Sequence, residues 1–480
     1  MQRVTLDLEL IINGNKVDRG QSQLIELEYE HDLSITIPKL DATHLNELLT
    51  EKEAVQKELQ GLPIRDVTWF LAELALSWLD SKSKWRQFVL THSPKLTGYH
   101  SSIIESDLDA IFGFLASPAS LYEQVQSELG NEHIFEEWIP VQASYRKAFG
   151  MGLATHILAG NFPMASIYSV VRSIITRNVT LGKCPSRDPI SVYAFVMSMI
   201  EKDPTHPVTR SVSLAYWDKE DPIARDALTA SDVIVAWGNQ QTIEHVNNLA
   251  PGVPSVLLGP RWSASVLDLV QADKSEAALR LAYEIGYYDQ EACLSTQRAF
   301  VKGYDSTFQD HLVEQCKKFS ESIPIVTENR DVLAHRSVAK LEAKFSGWEV
   351  IEAGDITIII VDPEDMPLDH PLTRTLFIHP VQDLEQTGKY FNKHTQTVCV
   401  FPWSIAAEHR DTWCLRGVDR IADLGLSRHP TPGFTHDGMR WLNQMVRMVC
   451  VDKPLTKLYK HNRLNSSSMK EWLFDLPLEK

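Results

Sequence analysis

The amino-acid sequence predicts an α/β fold with two open α/β domains, the first of them a doubly wound parallel sheet. Short apolar segments alternate with amphipathic helical segments between residues 155 and 259, and a second alternating pattern follows between residues 275 and 401. Parallel neighbours in a sheet need crossover connections, which are usually helices, so this alternation indicates parallel strands. The 480 residues, 44% of them hydrophobic, suffice for two or three domains with large cores.

Charge and cysteine usage exclude several classes of protein. The net charge of −16 argues against nucleic-acid binding or an anionic-membrane surface, because both partners would be repelled. The six cysteines include no Cys-x-x-Cys pair and no His/Cys cluster at zinc spacing, so we expect free thiols, a reducing compartment and no metal site. No signal-peptide pattern begins the chain, and no apolar run reaches the roughly 18 to 20 residues of a membrane-spanning helix. We therefore predict a soluble cytoplasmic protein without membrane insertion.

The N-terminal pattern predicts strands followed by helices. Residues 4–12 and 33–37 alternate apolar and polar side chains, and Asn13-Gly14 is a tight-turn signal. These strands form either a small sheet or an addition to a larger one. Residues 41–129 have a helical pattern, clearest at 71–79, and are expected to cover a sheet.

The first alternating region predicts five strands and the helices between them. The strands are expected at residues 155–159, 179–182, 211–217, 233–238 and 255–259. Helices are expected around an apolar face at residues 167–175, from the Asp188-Pro189 start signal, and at 223–230 and 242–249. Open parallel sheets bind ligands at the carboxyl ends of their strands, where the connecting turns lie.

The second region predicts another open α/β domain. Helices are expected at residues 275–285, 308–319, 331–345 and 383–391, and strands at 356–361, 375–379 and 397–401. We place the domain boundaries so that residues 1–257 hold the N-terminal strands, the helical cover and the first sheet, residues 258–433 form the second domain, and residues 434–480 form a C-terminal segment.

Three turns at predicted strand ends contain polar side chains suited to a ligand. Asn161 follows the first strand, and its amide either donates to a developing oxyanion or is only a turn residue. Lys183, Ser186 and Arg187 follow the second strand, in a turn that either faces a nucleotide or is a solvated loop. Gly238 lies between a strand and a helix, where free N–H groups suit a phosphate but a simple helix cap is also expected. A Gly-x-Gly-x-x-Gly fingerprint and a phosphate-binding P-loop are both absent.

Cys293 stands among polar and aromatic residues between the two regions. Motifs on both sides of it together resemble those of a known family. In order and number they resemble the aldehyde dehydrogenase superfamily and, within it, LuxC-type long-chain acyl-CoA reductases of bacterial luminescence. The motifs are Ile11-Ile12-Asn13-Gly14, Glu128-Leu129-Gly130, Glu137-Trp138-Ile139-Pro140, the stretch from Asp203 to Ser211, Val235-Ala236-Trp237-Gly238, Tyr288-Asp289-Gln290-Glu291-Ala292-Cys293, Thr395-Gln396-Thr397, Phe401-Pro402-Trp403 and His436-Asp437-Gly438-Met439-Arg440.

The resemblance implies an aldehyde dehydrogenase-like architecture and a set of site residues. It implies a Rossmann-like cofactor domain, a catalytic domain, and a small oligomerisation element near residues 134–155, with the C-terminal segment returning to the active site or a subunit interface. Cys293 matches the catalytic cysteine and Asn161 the oxyanion asparagine. On the cofactor side, the resemblance implies ribose contact from Lys183, a Ser186-Arg187 pair that favours NADPH, and a pyrophosphate contact at Gly238.

One departure from the superfamily indicates the direction of the reaction. Leu257-Leu258-Gly259-Pro260 stands where hydrolytic relatives have Glu-Leu-Gly-Gly, so the base that activates water is missing. The resemblance therefore implies NADPH-dependent reduction of long-chain acyl-CoA, or of an acylated protein, to fatty aldehyde for luminescence. It also implies a homo-oligomer that works with acyl-protein synthetase and acyltransferase subunits.

Some alternatives stay open at the level of sequence. Glu291 and His436 are candidate acids by position, and each is otherwise a structural loop residue. An oxidative aldehyde dehydrogenase would use the same cysteine but would need a water-activating base. A non-catalytic scaffold of a multienzyme complex would not need Cys293 at all.

Overall fold

The N-terminal strands divide between two sheets. In a computed structural model that describes residues 4–29, 32–141, 144–326, 330–362, 364–365 and 369–453, the first strands are β1 (Val4–Asp7), β2 (Ile11–Ile12), β3 (Asn15–Lys16), β4 (Leu24–Tyr29) and β5 (Leu33–Pro38). β1, β5 and β4 form a small sheet in that order, whereas β2 and β3 extend a larger one. Both arrangements that the sequence left open are therefore present.

Five helices follow and cover the first large sheet, as the sequence predicted. They are α1 (Ala42–Gly61), α2 (Ile64–Leu79), α3 (Lys84–Thr97), α4 (Ser101–Leu115) and α5 (Pro118–Leu129). Their apolar faces share one core with the helices of the next region, where Trp78 stacks on Phe112 at 4.4 Å between ring centroids. Burying these apolar faces stabilises this layer.

The first large sheet is parallel and has a switch in strand order. Its region contains β6 (Ile139–Val141), β7 (Ser144–Gly150), β8 (Leu153–Ile157), α6 (Pro163–Ile175), β9 (Val179–Lys183), α7 (Pro189–Lys202), α8 (Pro207–Arg210), β10 (Val212–Ala215), α9 (Pro222–Thr229), β11 (Val233–Trp237), α10 (Gln240–Leu249) and β12 (Ser255–Leu258). The order is β12-β11-β8-β9-β10-β2-β3, in which β2 and β3 are antiparallel additions. The chain runs outward from β8 in one direction and returns to its other side at β11, which opens a crevice at the carboxyl ends of these strands.

The second large sheet belongs to the other predicted α/β domain. Its region contains β13 (Trp262–Asp268), α11 (Lys274–Gly286), β14 (Thr296–Lys302), α12 (Ser306–Ser322), α13 (Arg330–Phe345), β15 (Glu349–Ala353), β16 (Ile356–Ile360), β17 (Thr375–Val381), β18 (Thr395–Phe401), α14 (Ser404–Arg416) and β19 (Arg420–Asp423). The order is β15-β16-β17-β14-β13-β18-β19, and only β15 is antiparallel to its neighbour. The helix predicted at residues 383–391 is present as a 3₁₀ helix, Leu384–Tyr390.

A fourth sheet joins the C-terminal end of the described chain to the strands that precede β8. α15 (Trp441–Gln444) leads into β20 (Val446–Asp452), which pairs along its whole length with β7, while β6 lies on the other side of β7. Residues 454–480, which belong to the predicted C-terminal segment, lie outside the described residues. Within the described ranges, no helix is both long and apolar enough to cross a bilayer.

Candidate active site

All eight site residues singled out from the sequence line one cleft of about 710 Å³. The cleft lies between the carboxyl ends of β8, β9 and β11 and the amino ends of β13, β14 and β18. The eight residues are Cys293, Asn161, Lys183, Ser186, Arg187, Gly238, Glu291 and His436.

Cys293 lies in the loop that joins a 3₁₀ turn to β14. The Ser263 hydroxyl donates to the Cys293 carbonyl at 2.6 Å and accepts from the Thr397 amide at 3.2 Å, which ties the loop to β13 and β18. Burial and, to a smaller extent, the nearby Asp437 carboxylate raise the pKa of the Cys293 thiol to about 12. The thiol is therefore protonated at neutral pH until a nearby group takes its proton.

Gln396 joins the nucleophile to a histidine and a carboxylate. Its amide nitrogen lies 3.4 Å from the Cys293 sulfur, 3.3 Å from His436 Nε2 and 3.1 Å from Asp437 Oδ1. His436 Nδ1 lies 3.2 Å from Asp437 Oδ1, and Arg261 Nε lies 3.6 Å from Asp437 Oδ2. Burial raises the pKa of Asp437, but the contacts with His436, Gln396 and Arg261 outweigh it and leave the pKa below its usual value.

Asn161 lies in the turn between β8 and α6 and reaches the loop that holds the cysteine. Its side-chain amide donates to the Glu291 carbonyl at 3.4 Å, two residues before Cys293. Phe162 then begins α6 and stacks on Tyr288 with ring centroids 4.9 Å apart. The amide of Asn161 therefore faces the same space as the cysteine.

Glu291 and Arg187 are bound to each other. Arg187 Nη1 donates to Glu291 Oε2 at 2.5 Å, and Nη2 donates to the Thr97 carbonyl at 2.7 Å. The Tyr99 hydroxyl donates to the same Glu291 oxygen at 2.5 Å. Burial lowers the pKa of Arg187, but Tyr99 and Glu291 outweigh it and leave the pKa above its usual value. These hydrogen bonds connect α3 to the loop of Cys293. They also occupy the side chains of both Arg187 and Glu291.

Lys183 and Gly238 form the other end of the cleft. Burial lowers the pKa of Lys183, whose ammonium lies 4.9 Å from the centre of the Tyr216 ring. A Cβ added to Gly238 would lie 2.6 Å from Thr242 Cβ, so only glycine lets the strand end approach α10 this closely. Asn239 accepts from the Thr242 amide at 2.9 Å, which confirms the predicted helix cap.

Ser186 is exposed at the rim of this end. Its backbone carbonyl accepts a hydrogen bond from the Tyr29 hydroxyl, which fixes the turn against β4. Its own side chain offers neither charge nor bulk to the cleft. The rim next to Lys183 is thus open to a ligand.

Acidic side chains are scarce around the cysteine. Among the described residues that line the cleft, the carboxylates are Glu291 and Asp437, and both are engaged as described above. Leu258, Gly259 and Pro260 also line the cleft, and none of them has an ionisable side chain. The region around Cys293 is therefore poor in groups that could activate water.

Sequence reasoning assigned no role to several side chains that touch the reacting region. Gln396 and Asp437 stood only inside motifs that carried the family resemblance, and their contacts with Cys293 and His436 appear once β18 and the C-terminal segment meet. Tyr99 had no signal at all, because it follows an ordinary amphipathic helix. Only tertiary packing identifies it.

Comparisons with known proteins agree with this picture. A model of the family described as acyl-CoA reductase (LuxC) matches residues 59–448. The long-chain acyl-protein thioester reductases of Vibrio harveyi and Photorhabdus luminescens are 32% and 31% identical to this chain, each over 93% of both chains. That of Aliivibrio fischeri is 29% identical, again over 93% of both.

Solved structures that resemble this chain are aldehyde dehydrogenases and related dehydrogenases. Aldehyde dehydrogenase 21 of Physcomitrella patens has a TM-score of 0.74 at 13% identity, covering 94% of this chain and 98% of its own. NADP-dependent glyceraldehyde-3-phosphate dehydrogenase of Bacillus halodurans has a TM-score of 0.71 at 15% identity, covering 93% and 99%. At this identity the likeness concerns the fold, and it confirms the aldehyde dehydrogenase-like architecture predicted from the sequence.

Proposed function

Because the chain belongs to the acyl-CoA reductase (LuxC) family, we propose that it reduces a long-chain fatty acyl thioester to the fatty aldehyde with NADPH. The observation that supports this most directly is the position of Cys293. It shares one cleft with the turns after β8, β9 and β11, where open parallel sheets bind nucleotides, and no unengaged carboxylate among the described residues lines that cleft.

In the first step, Cys293 takes the acyl group. The sulfur attacks the thioester carbonyl, and collapse of the tetrahedral intermediate expels the thiol of the donor. Asn161 and the backbone N–H of Cys293 stabilise the oxyanion. The proton of Cys293 passes to the leaving thiolate, and we assign its transfer to His436, the imidazole that lines the same cleft and lies next to Asp437.

The cofactor site is assigned to the end of the cleft formed by Lys183, Ser186 and Gly238. NADPH supplies the hydride that reduces the acyl-enzyme to the aldehyde. Lys183 contributes a cation that forms no ion pair within 4 Å in the described chain, where Asp218 acts on it only at longer range, and Gly238 lines the same cleft at the end of β11. Ser186 presents no carboxylate to repel a 2′-phosphate, which favours NADPH over NADH.

Arg187 has a different role from the one that the family resemblance implied for it. Its two terminal nitrogens are engaged by Glu291 and Thr97, so we assign the phosphate charge mainly to Lys183. Glu291 is likewise engaged with Arg187 and Tyr99, and we therefore prefer His436 as the general acid.

Protection of the acyl-enzyme from water follows from the same surroundings. Hydrolysis would require a carboxylate free to take a proton from water beside Cys293. Glu291 is bound to Arg187 and Tyr99, and Asp437 is in contact with His436, Gln396 and Arg261. The acyl group therefore persists until it is reduced. An oxidative aldehyde dehydrogenase would need that missing base.

The physiological donor is either acyl-CoA or an acylated partner protein. The names of the relatives favour the protein thioester. We propose that the enzyme acts with acyl-protein synthetase and acyltransferase subunits in a fatty acid reductase system for luminescence. We also propose that it works as a homo-oligomer.

Intact mass spectrometry tests the acyl-enzyme. Incubation with tetradecanoyl-CoA is expected to add one acyl group to the wild-type protein and none to Cys293→Ala. Cys414→Ala is the matched control, since it removes an exposed thiol distant from the cleft and should leave the adduct unchanged. Absence of an adduct with every acyl chain length tried would contradict the proposal, as would an adduct that survives in Cys293→Ala.

A further inference from the structure

Two segments beside the nucleophile have left-handed backbone in three successive residues. Their φ angles are 54°, 50° and 63° at Tyr288, Asp289 and Gln290, and 57°, 49° and 52° at Leu372, Thr373 and Arg374. Residues with a Cβ visit this region singly, because Cβ comes too close to the following carbonyl oxygen. Runs of three persist only where surrounding contacts hold them, and such runs are concentrated at functional sites.

The side chain of Gln290 holds the first segment against the second. Its oxygen accepts from the Thr375 amide at 2.7 Å, and its nitrogen donates to the Thr375 carbonyl at 2.8 Å. The same nitrogen donates to the Thr296 carbonyl at 2.8 Å. Gln290 is 1% exposed, so one buried carboxamide connects the loop before β14 to the beginnings of both β14 and β17.

A buried ion pair makes a second connection between the two segments. Arg374 Nε donates to Asp289 Oδ1 at 2.6 Å, and Arg374 Nη1 donates to the Ile323 carbonyl at 2.7 Å. Arg374 is fully buried. Breaking either contact would leave a buried polar group without its partner, which is costly.

His370 makes a third connection, on the other side of the cysteine. Its Nδ1 accepts from the Leu372 amide at 3.0 Å, and its Nε2 lies 3.0 Å from the Gln297 carbonyl, which fixes Nε2 as the protonated nitrogen. Cys293 lies between Gln290 and Gln297 in the chain. The nucleophile loop is therefore attached at both ends to the segment that precedes β17.

We propose that Gln290 is a positioning residue, which fixes the Cys293 loop against the start of β17 so that the sulfur and the Cys293 N–H keep the geometry of attack. Gln290 and Leu372 both line the cleft with Cys293, so a shift between the two segments changes the shape of the reaction space. The role in acyl transfer rests on the function proposed above.

The variant Gln290→Glu tests this role. It keeps the length of the side chain but replaces both donated hydrogen bonds with a carboxylate facing two carbonyl oxygens. Because a displacement of about 1 Å can cost about 100-fold in rate, the rate of acyl-enzyme formation from tetradecanoyl-CoA is expected to fall about 100-fold. Alkylation of Cys293 by iodoacetamide should become faster, since the loosened loop exposes the thiol, and the NADPH dissociation constant should stay unchanged.

Gln126→Glu is the matched control. Gln126 is exposed on α5, and the same substitution there should leave acylation, alkylation and NADPH binding at wild-type values. If Gln290→Glu does not fold, Asp289→Asn serves in its place, with slower acylation, faster alkylation and unchanged NADPH binding expected again.

Three results would overturn the positioning role. They are wild-type acylation in Gln290→Glu, alkylation no faster than wild type, or NADPH affinity lost in parallel with acylation, which would show general disruption of the cleft. Failure of the proposed function has a different signature. In that case the wild-type protein forms no acyl adduct, and faster alkylation with intact NADPH binding in Gln290→Glu still supports the positioning of Cys293.

Discussion

Individual residues around Cys293 determine how readily its thiol loses its proton. The thiol has a raised pKa because it is buried and lies near the Asp437 carboxylate, and the side-chain amide of Gln396 donates to its sulfur. The same carboxylate orients His436, to which we assign the transfer of the proton. Asp437 therefore disfavours the thiolate form of Cys293, whereas it favours the role of His436 in proton transfer. A substitution of Asp437 separates these two effects.

Asp437→Asn separates them. Removal of the carboxylate lowers the pKa of Cys293, so the midpoint of the pH profile for iodoacetamide alkylation should move to lower pH by roughly one unit. Turnover should fall in the same variant, because His436 loses its partner. The profile is measured by mass spectrometry of the Cys293 peptide. Asp411→Asn, on the exposed face of α14, should leave the midpoint in place, and a midpoint unchanged in Asp437→Asn would contradict the account.

The elements that were predicted well are those whose side chains follow a clear apolar pattern. β8, β9, β11 and β12 lie close to their predicted positions. β13 and β14 were missed, because buried Ser263, Ser265 and Arg298 interrupt their apolar runs. The hydroxyl oxygens of Ser265 and Thr296 form a hydrogen bond of 2.7 Å. Buried polar side chains in this sheet therefore have partners, although the sequence shows no alternating apolar pattern at these strands.

The candidate site was predicted from motifs, whereas its contacts needed the fold. Cys293 and Asn161 came from resemblance, and the structure brings them to one cleft. The pairing of Arg187 with Glu291 joins residues 104 positions apart, which no local pattern encodes. For the same reason the left-handed segments around Gln290 were invisible, since neither contains glycine to indicate positive φ.

The buried His156 on β8 makes the stability of the protein depend on pH. It is fully buried with Nδ1 2.8 Å from the Ser169 hydroxyl, and burial lowers its pKa from 6.5 to about 3. Between these values the unfolded chain binds one more proton than the native protein. The contribution of His156 is thus fully present above pH 6.5 and is lost as pH falls toward 3, at about 1.4 kcal/mol per pH unit.

Replacing His156 should flatten the acid side of the stability profile. In His156→Asn the free energy of unfolding, measured by urea denaturation from pH 7 to pH 4.5, should fall less steeply with acid than in the wild type by about one proton's slope. His245→Asn is the control, because His245 is only half-buried on α10. Equal slopes in His156→Asn and the wild type would show that His156 is not buried as a neutral imidazole.

The whole molecule offers a surface for self-association in the sheet formed by β6, β7 and β20. β20 is an edge strand whose Met448 and Val451 are 37% and 47% exposed, and Tyr145 on β7 is 39% exposed. Unprotected edge strands with apolar side chains pair readily with another chain. The proposed homo-oligomer is therefore assigned to this sheet, which includes part of the predicted element at residues 134–155.

Substituting lysine for both Met448 and Val451 tests this assignment. The native mass, measured by light scattering during size-exclusion chromatography, should change from that of an oligomer to that of one chain of 54.4 kDa, with secondary structure unchanged. Val338→Lys, at a half-exposed position on α13, should retain the wild-type mass. A wild-type protein that is already monomeric would contradict the proposed oligomer, and a variant that stays oligomeric would place the interface elsewhere.

In the proposed function, the acyl group on Cys293 is released by hydride reduction and not by hydrolysis. The most direct measurement is a single turnover of purified acyl-enzyme with NADPH deuterated at both C4 positions of the nicotinamide, followed by mass spectrometry of the protein and the released lipid. The expected result is one fatty aldehyde, with one deuterium on C1, for every acyl group lost from Cys293. Release of free fatty acid, or of aldehyde without deuterium, would contradict it.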